Sequence, residues 1–207
     1  MAGVVRVTDA RLAGEVLPGG RGPARYRAGV SSDRPHRDQH ATTSVAPAGT
    51  PSTVDFLAGD WTLVRRIRDH RTGQAGSFQG TASLRPCPES DGGDALEYVE
   101  SGELRFGNHR GPAARSLRVQ DAGDGTADVR FADGREFYHL DLRAGPWAAT
   151  HPCRADLYLV TVTPLSPDSY AENWRVTGPA KDYELLSTYT RTGSGGPNSA
   201  AGPGGQL

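Results

Sequence analysis

The sequence predicts an all-β protein built as a single antiparallel barrel. Three observations predict it. From Trp61 to Arg191 apolar and polar residues alternate in short runs, the period of a half-buried strand. Clusters of Gly, Pro and Asp interrupt these runs at intervals of about a dozen residues, and no sustained 3.6-residue period appears. About nine or ten such strands in one domain of roughly 140 residues would expose edges unless the sheet closed on itself.

The barrel is expected over residues 54–192. Residues 1–53 are rich in Gly, Arg, Pro, Ala, Ser and Thr without an apolar period, and residues 193–207 read GSGGPNSAAGPGGQL. Both compositions predict disordered segments. The formal charge of −1 gives no strong electrostatic claim on nucleic acid or on an anionic membrane. No apolar run reaches the ~20 residues of a membrane helix. The start, MAGVVRVTDA, lacks the apolar stretch of a secretory signal. A cytoplasmic protein with a small-molecule ligand, and with neither nucleic acid nor membrane as partner, is therefore expected. Two cysteines, Cys87 and Cys153, make no disulfide framework, and two reduced thiols are the plain reading, with a single bridge left open. Nothing in the sequence names a cofactor or an oligomeric state.

Strands are predicted near 60–68, 77–85, 94–105, 113–120, 126–132, 135–142, 155–164, 169–177 and 182–191, with an extra short strand around 147–150. Ala132-Asp133-Gly134-Arg135 reads as a tight hairpin turn with Asp-Gly as its turn pair. Asp91-Gly92-Gly93-Asp94 and Asp121-Ala122-Gly123-Asp124-Gly125 are looser turns. Residues 53–58 suit a single helical turn plugging the barrel bottom.

Successive strand side chains point to opposite sheet faces, so alternation assigns an inner face. It groups Trp61, Leu63 and Ile67 with Arg65, and Leu96, Tyr98 and Leu104 with Glu100. Leu117 and Val119 share a face with Arg115. Tyr138, Leu140 and Leu142 oppose Phe137, His139 and Asp141. Val160 and Val162 align with Asp156 and Tyr158, and Trp174 aligns with Val176. Unpaired buried charges are too costly to keep. Arg65, Glu100, Arg115, Tyr138, Asp156 and Tyr158 must therefore pair inside or line a wet cavity, unless a bulge slips the register. With Trp174 they form the expected ligand-binding lumen, suited to a polar or amphipathic molecule.

Phe56-Leu57-Ala58-Gly59-Asp60-Trp61 opens the region and Thr188-Tyr189-Thr190-Arg191 ends it. A Gly-x-Trp in the first strand and an Arg in the last resemble the closure of calycin, or lipocalin-like, barrels. There the guanidinium lies over the indole. Gly59, Trp61 and Arg191 take these structural positions. The segments FLAGDW, GSFQGTASL, LEYVESGEL, FADGREF, HPCRADLY and NWRVTGPAKDY, with TYTR, resemble a bacterial and plant family known as domain of unknown function 6314. The resemblance covers about residues 55–192, with HxCxxDxY and WxVxGPxKDY its specific parts. It implies a calycin-like barrel and no established activity. The family's Phe-His falls on Phe137-Tyr138, which puts its histidine at Tyr138.

His151 and Cys153, two apart in an extended segment, face one way and are weak metal candidates, because two ligands do not make a site. His139 is expected on the outer surface. Lys181 and Asp182 bring opposite charges to the barrel mouth, either to meet an anionic ligand group or as an ion pair pinning the hairpin. Asp156, Tyr158 and Lys181 are the catalytic candidates, with Tyr158 polarising a carbonyl and Asp156 moving a proton. Three functions follow. The first is a non-enzymatic small-molecule binding protein. The second is an isomerase, lyase or hydrolase using the same lumen. The third is a haem- or metal-binding barrel.

Overall fold

A computed structural model describes residues 5–6, 51–87 and 95–193. The chain begins with a two-residue strand β1 (Val5–Arg6), followed by one helical turn α1 (Thr53–Leu57). Ten longer strands follow: β2 (Gly59–Asp69), β3 (Ala75–Pro86), β4 (Ala95–Phe106), β5 (His109–Asp121) and β6 (Ala127–Phe131), then β7 (Glu136–Leu140), β8 (Trp147–Cys153), β9 (Asp156–Ser166), β10 (Ser169–Gly178) and β11 (Lys181–Arg191). The expected 147–150 strand is thus longer and carries His151 and Cys153. The two predicted disordered segments lie largely, and the 91–94 turn wholly, outside the described residues.

The ten strands form one antiparallel sheet in the order β7-β6-β5-β4-β3-β2-β11-β10-β9-β8. The first and last of these ten strands, β2 and β11, are neighbours, and Trp61 pairs with Arg191. The sheet curls until β7 and β8 lie side by side. There the Trp147 indole donates to the His139 carbonyl at 2.8 Å, a side-chain bond across the seam of a nearly closed barrel. Pro152 is tolerated in β8 because this strand stands at the end of the sheet order. β1 lies parallel to β5, with Val5 opposite Ala113.

The inner face is as alternation predicts along β2, where buried and exposed residues alternate from Trp61 to Asp69. β7 departs from it. Val129 pairs with Tyr138 but Arg130 pairs with Glu136, so Phe137 is an extra residue. This bulge turns Phe137 inward beside Tyr138, correcting the expectation that it faces outward. Its ring stacks on Phe131 (centroids 4.4 Å apart) and on Trp174 (5.1 Å). The Asp133-Gly134 turn closes the hairpin, with Gly134 at φ 86° and its N–H donating to Phe131 O at 2.9 Å.

One end of the barrel is sealed by α1. Ser52 caps the turn, accepting from the Asp55 N–H at 3.1 Å. Thr53 ties the plug to the sheet: its N–H donates to Gly125 O at 2.9 Å and its hydroxyl accepts from the Leu142 N–H at 3.0 Å. The orphan carbonyls at the helix end are satisfied from β2 and β11. The Trp61 indole donates to Leu57 O at 2.9 Å, and Arg191 donates to Ala58 O and Phe56 O at 2.7 and 2.9 Å. The Arg191 guanidinium carbon lies 4.2 Å from the centre of the fully buried Trp61 ring.

Gly59 makes room for this closure. Its φ is 123°, and a Cβ there would come within 2.6 Å of the Arg191 Nη1 atom. Gly59→Ala is expected to destabilise the protein by about 1–3 kcal/mol through backbone strain and displacement of Arg191. A urea unfolding curve for the variant checks this.

Candidate functional site

The polar residues of the inner face converge in the middle of the barrel. Arg65 on β2 and Glu100 on β4 meet in a bidentate ion pair, with Nη1–Oε1 at 2.8 Å and Nη2–Oε2 at 2.9 Å. Both side chains are only 3% exposed. To meet, they must cross β3. In the register, Arg65 lies opposite Phe78 and Glu100 opposite Ala82, with Gly80 between. No bulky inward side chain therefore blocks the passage. Gly80 and Gly102 also pack too closely for any Cβ, which at Gly80 would stand 2.1 Å from Ser101 O.

Three more groups complete the pair. Arg65 Nε donates to Ser187 Oγ at 2.8 Å. Arg115 Nη2 and the Tyr98 hydroxyl both donate to Glu100 Oε2, at 3.2 and 2.5 Å. Burial works to raise the pKa of Glu100. The guanidiniums of Arg115 and Arg65 and the hydrogen bonds from Arg65 and Tyr98 outweigh it and hold the carboxyl far below the usual carboxylate range.

Glu172 on β10 is the second lumen carboxylate, 7% exposed. Its surroundings differ from those of Glu100. It accepts from the Tyr189 hydroxyl at 3.2 Å and from the Tyr138 hydroxyl at 3.5 Å, and no ion pair reaches it among the described residues. Tyr189 and Tyr98 hydroxyls stand 3.1 Å apart and link the two carboxylates. Burial, with Glu172 or Glu100 close by, pushes the phenols of Tyr98, Tyr138 and Tyr189 well above their ordinary range. All three therefore stay protonated and serve as donors.

Beside this network lies a cavity of about 40 Å³, room for a few waters at roughly 10–15 Å³ each. Its tyrosines and charged residues are Tyr98, Arg115, Tyr138, Tyr170, Glu172 and Tyr189. Leu57, Leu84, Val119, Leu140 and Val162 are among its apolar lining. Among the described residues, Arg115 Nε is buried without an acceptor. So is Trp174 Nε1, whose ring packs between Phe137 and Tyr138.

The expected lumen residues are thus distributed over four places. Arg115 and Tyr138 line the cavity, and Tyr138 is the position to which the family resemblance assigns a histidine. Arg65 and Glu100 form the ion pair behind it, while Trp174 belongs to the aromatic stack. Asp156 and Tyr158 lie at the barrel end opposite α1. There Lys181 Nζ contacts Asp156 Oδ2 at 2.6 Å and donates to the Tyr158 hydroxyl at 2.8 Å.

Lys181 therefore pairs with Asp156 on β9. It does not pair with Asp182, the neighbour that the sequence offered. Asp182 instead binds Arg175, because adjacent strand residues point to opposite faces. Burial tends to lower the Lys181 pKa, but the bonds to Asp156 and Tyr158 prevail and raise it. The ammonium is thereby stabilised, the opposite of what imine chemistry needs.

His151 packs edge-on against Phe137 and Phe131, with ring centroids 5.1 and 5.9 Å away. Among the described residues no group of three or more His, Cys, Asp or Glu is placed to hold a metal ion. Cys87 and Cys153 are not bonded to each other. His139 is exposed and meets Asp128 at 2.9 Å. Sequence reasoning overlooked Glu172, Tyr189 and Ser187 as polar lumen groups. Alternation would have found Glu172, since it shares the face of Trp174 and Val176.

Fold and lumen together define a lipocalin-like barrel. The chain belongs to the family of unknown function DUF6314, whose model matches residues 57–191. No curated protein matches the sequence. Among solved structures, the S-type phycobiliprotein lyase CPES from Guillardia theta aligns with a TM-score of 0.50 and 12% identity, over 69% of this chain and 92% of that one. A redesigned β-barrel, mFAP0, bound to DFHBI aligns with a TM-score of 0.35 and 18% identity, over 66% and 99% of the two chains. The first shares the fold; the second superposes too loosely to add to it. No helix among the described residues is long and apolar enough to cross a membrane.

Glu100→Gln leaves two guanidiniums without their carboxylate and is expected to cost about 3–5 kcal/mol in denaturant unfolding. The wild-type pH dependence follows from the same group. The folded pKa of Glu100 lies below its ordinary value of 4.5. Its stabilisation is therefore complete above that value and is lost as pH falls toward the folded one. The stability gap between wild type and Glu100→Gln should be widest at neutral pH and narrow at pH values below about 4, read from urea midpoints across the range.

Proposed function

We propose that this protein is a non-enzymatic binding barrel that holds one small amphipathic molecule in its lumen. The observation that carries the reading is the two-sided cavity wall. Arg115, Glu172 and four protonated phenols face the ligand's polar end, and aliphatic side chains above the α1 plug receive its apolar end. Few convergent polar groups on a mostly apolar wall is the composition of a small-molecule site. The cavity of about 40 Å³ restricts the enclosed part of the ligand to a few non-hydrogen atoms unless side chains move aside. The reading takes a small molecule as the partner and the cytoplasm as the location.

An enzymatic reading draws on the phycobiliprotein lyase that shares the barrel, but the side chains favour binding. The lumen phenols are held as hydrogen-bond donors, and the Lys181 ammonium is held charged by Asp156. Neither is poised to take a proton near neutral pH.

Native mass spectrometry of the protein purified from its own host tests the proposal. A small molecule is expected to remain bound. Tyr138→Phe and Arg115→Lys should each lower its occupancy, by about tenfold in affinity for the loss of one buried hydrogen bond to a ligand. A ligand retained equally by both variants would place its site elsewhere, and a preparation that carries none and takes up none would remove the proposal.

A further inference from the structure

The barrel is not closed by backbone hydrogen bonds all the way round. β7 and β8 are the two ends of its strand order, and among the described residues no ladder joins them. Side-chain contacts span the seam instead. The Trp147 indole donates to the His139 carbonyl at 2.8 Å, in an exposed position. Farther along, the His151 ring on β8 meets the Phe137 ring on β7 edge-on, with centroids 5.1 Å apart. An exposed hydrogen bond exchanges readily for one to water, so its net hold on the seam is small.

Burial shows where water reaches the inner face. Val162, Val160 and Tyr158 on β9 are buried, at 2, 1 and 7% exposure. Their partners on β8 are Trp147, Ala149 and His151, and each is only half-buried. On β7, Phe137 and Tyr138 are half-buried too, whereas Val129 opposite Tyr138 is buried. Along β2, by contrast, every inward residue from Trp61 to Asp69 is buried. The inner face thus loses its cover on both sides of the seam. Directly behind the seam lies the cavity, lined there by Tyr138 and Leu140 of β7 and Val162 of β9.

The β6–β7 hairpin is the element able to yield. Each of its strands has five residues, and β6 holds β5 only from Ala127 to Phe131. At the plug end the chain leaving β7 is tied down, with the Leu142 N–H donating to Thr53 Oγ1 and Arg143 to Asp124 O. The two barrel ends are less open to passage. α1 fills one, and Lys181 pins the other to Asp156 and Tyr158. Resting on the reading of the lumen as a binding site, we propose that the seam between β7 and β8 is the entrance to the lumen. The hairpin swings outward about its tied end, the Trp147–His139 bond is the latch, and Phe137 parts from His151 as a small molecule passes.

Exchange of indole N–H groups in deuterium oxide, followed by NMR on the full-length protein, tests this with water as the probe. The Trp174 ring stacks on Phe137 behind the seam, and its N–H has no acceptor among the described residues. The Trp61 N–H is bonded to Leu57 O at the plugged end. Trp174 should exchange through local opening, at a rate nearly independent of low urea concentrations, whereas Trp61 should show the urea dependence of global unfolding. Trp147→Phe removes the latch and should speed Trp174 exchange about tenfold. Lys181→Gln loosens the barrel mouth and should leave that rate unchanged. A short bis-maleimide bridging the exposed positions of His139→Cys and Ala148→Cys, with Cys87→Ser and Cys153→Ala, should give Trp174 the urea dependence of Trp61.

Trp174 exchange that follows global unfolding in the wild type would overturn the entrance, as would a rate that the crosslink does not lower. A rate raised by Lys181→Gln and not by Trp147→Phe would overturn it in favour of the mouth. Water needs no binding site, so the two readings fail separately. A shut seam in a protein that retains a ligand in native mass spectrometry overturns the entrance alone, and an opening seam in a protein that binds nothing overturns the lumen reading alone.

Discussion

The bidentate contact between Arg65 and Glu100 is the interaction on which the interior depends. It joins β2 to β4 across β3, and Arg115, Tyr98 and Ser187 attach β5 and β11 to the same two side chains. A buried pair of this kind is weak evidence for stability by itself, because desolvation offsets much of the attraction. What it does is fix a geometry. Each partner tolerates few positions of the others, so the Arg115 and Tyr98 side chains are held where they border the cavity.

Around this centre the barrel has two unlike ends. At one end α1, Trp61 and Arg191 form a structural seal in which helix carbonyls, indole and guanidinium satisfy one another. At the other, Lys181 is held by Asp156 and Tyr158, and the Phe131, Phe137 and Trp174 rings stack nearby. The cavity lies toward the sealed end, below the ion pair and above Leu57 of the plug. Its aliphatic floor and polar roof follow from that position.

The strands and most of the inner face were legible because period-two alternation is a local property of the chain. Arg65, Glu100 and Arg115 were recognised as inward-facing from their apolar neighbours alone. The closure was legible too, because Gly59, Trp61 and Arg191 are residue types with few substitutes in that geometry. Phe137 was misplaced because a one-residue bulge between β6 and β7 reverses the face, and no single-strand pattern records what the partner strand does. The sequence offers Lys181 either an anionic ligand group or an ion pair at the hairpin, whereas its partner, Asp156, lies on another strand.

By itself the sequence determined an antiparallel barrel, its strand boundaries within a few residues and the presence of charge inside it. Only the tertiary structure decided how that charge is shared. Alternation shows that a side chain points inward but not which inward neighbours it meets, since these come from strands far apart in the chain. Glu100 could therefore be saturated by two guanidiniums while Glu172 received only phenols. That difference is what makes the two lumen carboxylates unlike.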